Sequence, residues 1–158
     1  MVHRLSPDLK DSTGVLSIDY TSAMHEWALA EAVVATAKRA AHEKKLRRIT
    51  AITVKLGELQ QIEREIFSFA LEQILSQEDA LLRHAKVILE TERARFRCRV
   101  CNFEWAFEEQ NLSSEVAEAI HFIPEIAHTY MRCPRCHSPD FEVIAGRGVW
   151  VAALQGEE

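Results

Sequence analysis

Ile49-Thr50-Ala51-Ile52-Thr53-Val54-Lys55-Leu56-Gly57 decides the fold. Ile52, Val54 and Leu56 fall on one side of an extended chain, and Thr53 and Lys55 on the other. That is the period of two of a half-buried strand, and Gly57 ends it. Upstream, Trp27, Ala30, Val34, Ala37 and Ala41 recur at spacings of three and four, the stripe of an amphipathic helix starting at Met24. Glu26 and Glu31 lie near its start and Lys38, Arg39, Lys44 and Lys45 near its end, an order that suits the helix dipole. Downstream, Glu63 to Ser76 reads as a second helix burying Phe67, Ala70, Leu71 and Ile74. Ala85 to Glu92 reads as a second strand with Val87 and Leu89 inward. Residues 24–93 are therefore helix, strand, helix, strand: a small α/β module in which Trp27 belongs to the core.

Outside this module the pattern changes. Residues 1–23 are rich in Ser, Thr, Asp and Gly and hold no helical or strand period, so they are expected as a disordered leader. Strand-like pieces, Ala94–Cys98 and Phe103–Phe107, flank a first Cys-x-x-Cys pair. A helix follows, with Ser113 or Ser114 as its N-cap. Phe141 to Leu154 reads as a hairpin turning at Gly146-Arg147-Gly148, its last strand rejoining the sheet of the first module.

Composition narrows the class. The 158 residues are 47% hydrophobic and 27% charged, the balance of a folded chain. No apolar run reaches the roughly 18–20 residues needed to span a bilayer, and the first residues carry too many charges for a signal peptide. A cytoplasmic location and no membrane partner are expected. The net charge is −5, and residues 94–158 hold 6 basic and 10 acidic side chains, net −4. Phosphate binding wants the opposite sign, so nucleic acid is not an expected partner. HExxH, GxSxG and P-loop patterns are all lacking, and no enzymatic activity is expected.

The strongest chemical signal is the pair of motifs Cys98-Arg99-Val100-Cys101 and Cys133-Pro134-Arg135-Cys136. Two residues between cysteines let one tight turn aim two thiolates at one ion, and two such turns complete a tetrahedral site with Zn–S bonds of about 2.3 Å. A closed four-thiolate site leaves no open coordination position, so its role is structural. Free or disulfide-bonded thiols and a rubredoxin-like iron site use the same residues and stay open as alternatives. His137, next to Cys136, is read mainly as an exposed turn residue, with ligand exchange or a pH-sensitive place beside the metal as its sharper roles. His42, His84 and His128 are read as ordinary.

Met24-His25-Glu26-Trp27-Ala28-Leu29-Ala30, Val54-Lys55-Leu56-Gly57-Glu58-Leu59, the two cysteine pairs and Gly146-Arg147-Gly148-Val149 occur in order. Together they resemble the HypA/HybF family of nickel metallochaperones, from Met24 to about Leu154. His121-Phe122-Ile123-Pro124-Glu125, in the long spacer between the pairs, is similar to its archaeal-type branch. The resemblance implies an α+β fold: a nickel-binding domain of two helices and a mixed three-stranded sheet, and a zinc-ribbon-like domain. Domain limits are expected at 24–93 (nickel), 94–142 (zinc) and 143–158, the last returning to the nickel domain. It implies Ni(II) delivery to the apo large subunit of [NiFe]-hydrogenase, with some members serving urease. It also implies a HypB-type nucleotide-hydrolysing partner and a monomer or weak dimer. Structural zinc falls to Cys98, Cys101, Cys133 and Cys136. The alternatives from other classes are a zinc-ribbon nucleic-acid-binding protein and a rubredoxin-like electron carrier.

The resemblance further implies nickel at Met24, His25 and Glu26. In Met-His-Glu at a free terminus, the α-amine and the second residue's imidazole flank an amide whose deprotonation closes two chelate rings. Nitrogen donors in a square plane suit Ni(II). His121 is the candidate fourth ligand, and Glu58 is read as a group that orients this terminus or shapes a turn. In this sequence 23 residues precede Met24. Either Met24 is the true start, the favoured expectation, or the leader is real and His3 and His25 supply imidazoles instead.

Overall fold

In the computed structural model the described residues are 1–4, 22–60, 62–107, 113–122 and 126–158. They divide into two compact units. The first comprises Met1–Lys55, Ile62–Glu90 and Val149–Glu158, and the second Leu56–Gln61 and Thr91–Gly148.

The first unit holds strand β1 (Val2–Arg4), helix α1 (Ser22–Glu43), strand β2 (Arg48–Gly57), helix α2 (Arg64–Ser76), strand β3 (Lys86–Glu92) and the last strand of the chain, Val149–Glu157, here β7. The ends of β2 and β3 run on into the second unit. The strands form one sheet in the order β1-β7-β2-β3. Helix α1 buries Ala30, Val33, Val34, Ala37, Ala40 and Ala41, a stripe whose small side chains admit α2 and β7 closely. Helix α2 buries Phe67, Ala70, Leu71 and Leu75, whereas Ile74 is half-buried. On β2, Ile52, Val54 and Leu56 are buried and Thr53 and Lys55 half-exposed, the alternation read from the sequence. Strand β3 lies at the sheet edge, so Val87 and Leu89 are only half-buried. Trp27 is likewise half-buried and meets Phe69 edge-to-face at 6.2 Å.

Helix α1 ends without a glycine. Lys45 takes the left-handed conformation (φ 55°), and the Leu46 N–H reaches back to the Ala41 carbonyl at 2.9 Å. This is a Schellman closure, with buried Leu46 sealing it.

The second unit holds β4 (Arg95–Cys98), β5 (Glu104–Ala106), α3 (Ser114–Phe122), α4 (Ala127–Tyr130) and β6 (Phe141–Ala145). Its three-stranded sheet has the order β5-β4-β6, all neighbours antiparallel. Phe96 opposes Trp105 on β5 and Val143 on β6, and Cys98 opposes Phe141. Phe96, Trp105 and Phe141 are fully buried, with ring centroids 5.4–5.7 Å apart. Such aromatic pairs add about 0.5–1.5 kcal/mol each beyond their buried area. The Ser113 hydroxyl accepts the Val116 N–H at 3.3 Å and so caps α3.

Two expectations change here. Val2–Arg4 of the leader form a strand, pairing antiparallel with β7 in the register His3 to Leu154 and adding a fourth strand to the three foreseen. A three-residue strand is too short to show a period, so the sequence carried no sign of it. The expected hairpin over Phe141–Leu154 does not form, because β6 and β7 belong to different sheets.

The Gly146-Arg147-Gly148 turn, with both glycines at φ 86°, pairs instead with an earlier stretch of chain. The Gly57 N–H bonds the Gly148 carbonyl (2.8 Å), and the Leu59 N–H bonds the Gly146 carbonyl (3.0 Å). The Gly146 N–H goes to Glu92 Oε1 and the Ala94 N–H to Glu58 Oε2, each at 2.7 Å. A Cβ on Gly57 would sit 2.4 Å from the Gly146 oxygen, so two backbones meet where only glycine fits. Glu58 therefore secures a backbone turn, the second of its two expected roles.

Candidate metal centre

The two cysteine pairs form equivalent knuckles. In the first, the Asn102 N–H bonds the Cys98 carbonyl (3.0 Å) and the Cys98 N–H bonds the Phe103 carbonyl (2.9 Å). In the second, the His137 N–H bonds the Cys133 carbonyl and the Cys133 N–H bonds the Ser138 carbonyl, both at 2.9 Å. Asn102 (φ 60°) and His137 (φ 61°) hold the same left-handed position after the second cysteine. The role of His137 is thus carried by its backbone, on an exposed turn. Asn in that position is a sequence signal, since Asn tolerates positive φ better than most residues.

The four Sγ atoms lie within 4.8 Å of one another. Across the knuckles Cys98 lies 3.5 Å from Cys136 and Cys101 lies 3.6 Å from Cys133. A disulfide needs about 2.05 Å, so these are four free thiols. Sulfurs bound tetrahedrally at about 2.3 Å stand about 3.8 Å apart, close to the observed spacing.

The electrostatics point the same way. Burial raises the Cys133 thiol, but backbone N–H groups of Cys136 and Arg135 and the adjoining Cys101 and Cys136 thiols outweigh it and bring it down to about 7. The Val100 N–H approaches Cys98 Sγ similarly at 3.4 Å. The Ser138 N–H draws the Cys136 thiol down, yet desolvation and the crowding of Cys98, Cys101 and Cys133 push it up to about 12. Four sulfurs this close cannot all ionise unaided, and a divalent cation supplies the missing charge. The donor set fits a closed structural zinc site.

The outer face of the same sheet is a ladder of ion pairs. Arg97 lies between Glu104 (3.0 Å) and Glu142 (3.5 Å), Arg99 between Asp140 (3.2 Å) and Glu142 (4.0 Å), and Arg95 reaches Glu104 at 3.6 Å. Arg95, Arg97 and Arg99 are thus matched by carboxylates, which weighs against phosphate binding.

Met24 and His25 lie in the first turn of α1, which begins at Ser22, two residues ahead of the expected start, and Glu26 opens the second turn. His25 is half-buried. Glu26 is 3% exposed, and its Oε1 accepts the Glu63 N–H at 3.2 Å. Glu63 is the N-cap position of α2 and makes no side-chain cap of its own; the Glu26 carboxylate, reaching over from α1, accepts the N-cap N–H, the part that Glu at N3 plays in a capping box. No described residue hydrogen-bonds Oε2, which is also buried. His121 lies on α3, in the second unit, whereas Met24, His25 and Glu26 belong to the first. The side chains of Met24 and His121 are outside the described part. Among the described residues no helix is long and apolar enough to cross a membrane.

Residues 24–156 match a family model described as hydrogenase/urease nickel incorporation, metallochaperone, hypA. The hydrogenase maturation factor HypA of Pyrococcus abyssi is 44% identical over 137 residues, covering 85% of this chain and 97% of that protein. The protein of the same name from Pyrococcus horikoshii is 42% identical with the same coverage. The solution structure of the Ni metallochaperone HypA from Helicobacter pylori superposes with a TM-score of 0.58 at 16% identity, covering 84% of this chain and 97% of that one, a likeness of fold. The ordered motifs, the four-thiolate centre and these matches together establish that the chain belongs to the HypA family of nickel-incorporation metallochaperones.

Proposed function

We propose that this chain binds Ni(II) and hands it to the apo large subunit of [NiFe]-hydrogenase during maturation, without catalysing a reaction itself. The observation that carries the reading is the match of residues 24–156 to a nickel-incorporation family, with every motif in order. Nickel is the cargo, held by nitrogen donors around Met24 and His25, with the His121 imidazole as a further ligand. Where the Met24 nitrogen is a free amine, the two chelate rings close in a square plane. With residues 1–23 attached, imidazoles carry the binding. The Glu26 carboxylate, tied to the Glu63 N–H at the start of α2, fixes the N-terminal part of α1 and leaves ligation to backbone and imidazole nitrogen. Zinc held by Cys98, Cys101, Cys133 and Cys136 maintains the second unit. A HypB-type nucleotide-hydrolysing partner supplies the hydrolysis that this chain, lacking a P-loop, does not. Urease is a second possible recipient through the same chemistry.

Nickel titration of residues 1–158 and of 24–158, followed by absorbance, tests the site. The shorter form is expected to show a square-planar nickel band that His25→Ala abolishes. Delivery is tested in cells lacking their own chaperone, where the chain should restore hydrogenase activity and His25→Ala should not. Unchanged nickel affinity in His25→Ala would refute the assignment.

A further inference from the structure

The four thiols differ in exposure. Cys98 and Cys133 are buried, Cys101 is intermediate and Cys136 is exposed. The exposed Cys136 lies 3.5 Å from the buried Cys98 of the other knuckle, and Cys133 lies 3.6 Å from Cys101. We propose that Cys136 is an oxidation site for peroxide, resolved by Cys98 across the knuckles, so that the first disulfide is Cys98–Cys136 and its formation releases the zinc. This rests on the zinc reading given above.

The chemistry balances with hydrogen peroxide as the sole oxidant. As a zinc ligand Cys136 is held as a thiolate, and being exposed it is the one peroxide reaches; its sulfur attacks one peroxide oxygen, the O–O bond breaks, and Cys136 becomes a sulfenic acid as hydroxide leaves. The Cys98 thiolate then attacks the Cys136 sulfur, forming the S–S bond and expelling the second hydroxide. Two thiolates lose two electrons in total, one peroxide gains them, and zinc leaves unchanged as Zn(II). Closure from 3.5 Å to a disulfide length of about 2.05 Å needs an approach of about 1.5 Å. Cys98 is the last residue of β4, held opposite Phe141, so the exposed turn carrying Cys136 makes the movement. Two ligands remain, Cys101 and Cys133. They are too few to hold zinc, and lie 3.6 Å apart as the pair a second peroxide would join.

The test uses the zinc-loaded full chain with an equimolar amount of hydrogen peroxide. Zinc is followed with a chromogenic chelator, sulfenic acid is trapped with a dimedone probe, and disulfides are mapped by peptide mass spectrometry. The expected result is loss of the bound zinc, dimedone label on Cys136 ahead of the other three, and Cys98–Cys136 as the main disulfide. A main disulfide of Cys133–Cys136 or Cys98–Cys101, first label on another cysteine, or disulfide without zinc loss would overturn the proposal. Because these readouts come from the unsubstituted chain, they do not depend on whether a Cys136→Ser variant folds. A chain that binds no zinc would defeat the zinc reading itself, a result distinct from a wrong first label or a wrong disulfide in the zinc-loaded chain.

Discussion

Alanine at Gly57 is expected to destabilise the second unit by about 3–5 kcal/mol. The added Cβ would stand 2.4 Å from the Gly146 oxygen, 2.6 Å from the Gly146 carbonyl carbon and 2.7 Å from the Gly148 oxygen. All three are backbone atoms, so no side chain can swing aside, and ordinary contact at about 3.5–4.0 Å requires a shift of about 1 Å. That shift pulls on two hydrogen bonds, Gly57 N–H to Gly148 and Leu59 N–H to Gly146. Each contributes about 1 kcal/mol, and overpacking adds about 1–3 kcal/mol. Gly148→Ala is the control, because its Cβ meets nothing within 4 Å and only φ +86° opposes it. Its cost is that of left-handed backbone alone, about 1–2 kcal/mol. Urea unfolding at fixed zinc, read by circular dichroism and tryptophan fluorescence, measures both. With m of about 1–3 kcal/mol/M, Gly57→Ala should lower the midpoint by about 1 M or more. A Gly57→Ala midpoint equal to wild type, or a larger loss in Gly148→Ala, would refute the close-approach argument.

Lys45→Gly should stabilise the first unit by about 0.5–1 kcal/mol, since Lys45 closes α1 at φ 55°; a thermal melt reads it. Glu26→Ala removes the carboxylate that caps α2 and should cost about 2–3 kcal/mol in urea unfolding. Glu26→Gln keeps an acceptor for the Glu63 N–H and should lose less than about 1 kcal/mol, with nickel affinity retained. In the zinc-free chain the Cys133 thiol, depressed from 9 to about 7, contributes stability that is complete above pH 9 and lost as pH falls through about 7. Cys136, raised to about 12, contributes stability below pH 9 that is lost as pH rises through about 12. Denaturation of the chelated chain should therefore show stability rising between pH 7 and 9, and Cys133→Ser should flatten that rise. Zinc removal should lower the second unit's unfolding midpoint in urea, since four ligands from two knuckles couple metal binding to stability.

The parts of the fold that announced themselves in the sequence are those whose cause is local. The alternation of Ile52, Val54 and Leu56 reflects a strand with unequal faces, and the Cys-x-x-Cys spacing reflects what one turn can aim at a metal. The end of α1 was hidden because Lys45 does what Gly usually does, held there by burial of Leu46. The hairpin expectation failed because Gly146-Arg147-Gly148 reads the same whether the chain turns within one sheet or passes to another. The decision is made by Gly57, Glu58 and Glu92, far away in sequence. The buried cap from Glu26 to Glu63 was equally out of reach, since an acidic residue in a first helical turn looks like an ordinary dipole partner.

The cross-knuckle arrangement of sulfurs makes residues 102–132 a ring fastened at a single clasp. Once the clasp is shut, the distance between the ends of that ring no longer depends on what is strung along it. Doubling its length would add only about 0.6 kcal/mol of closure entropy. The part of the ring beyond β5, which carries α3 and His121, can therefore be lengthened or shortened while the clasp and the sheet that holds it stay as they are. A chimaera that swaps the stretch between β5 and Cys133 among relatives should keep its metal and change only what that stretch touches.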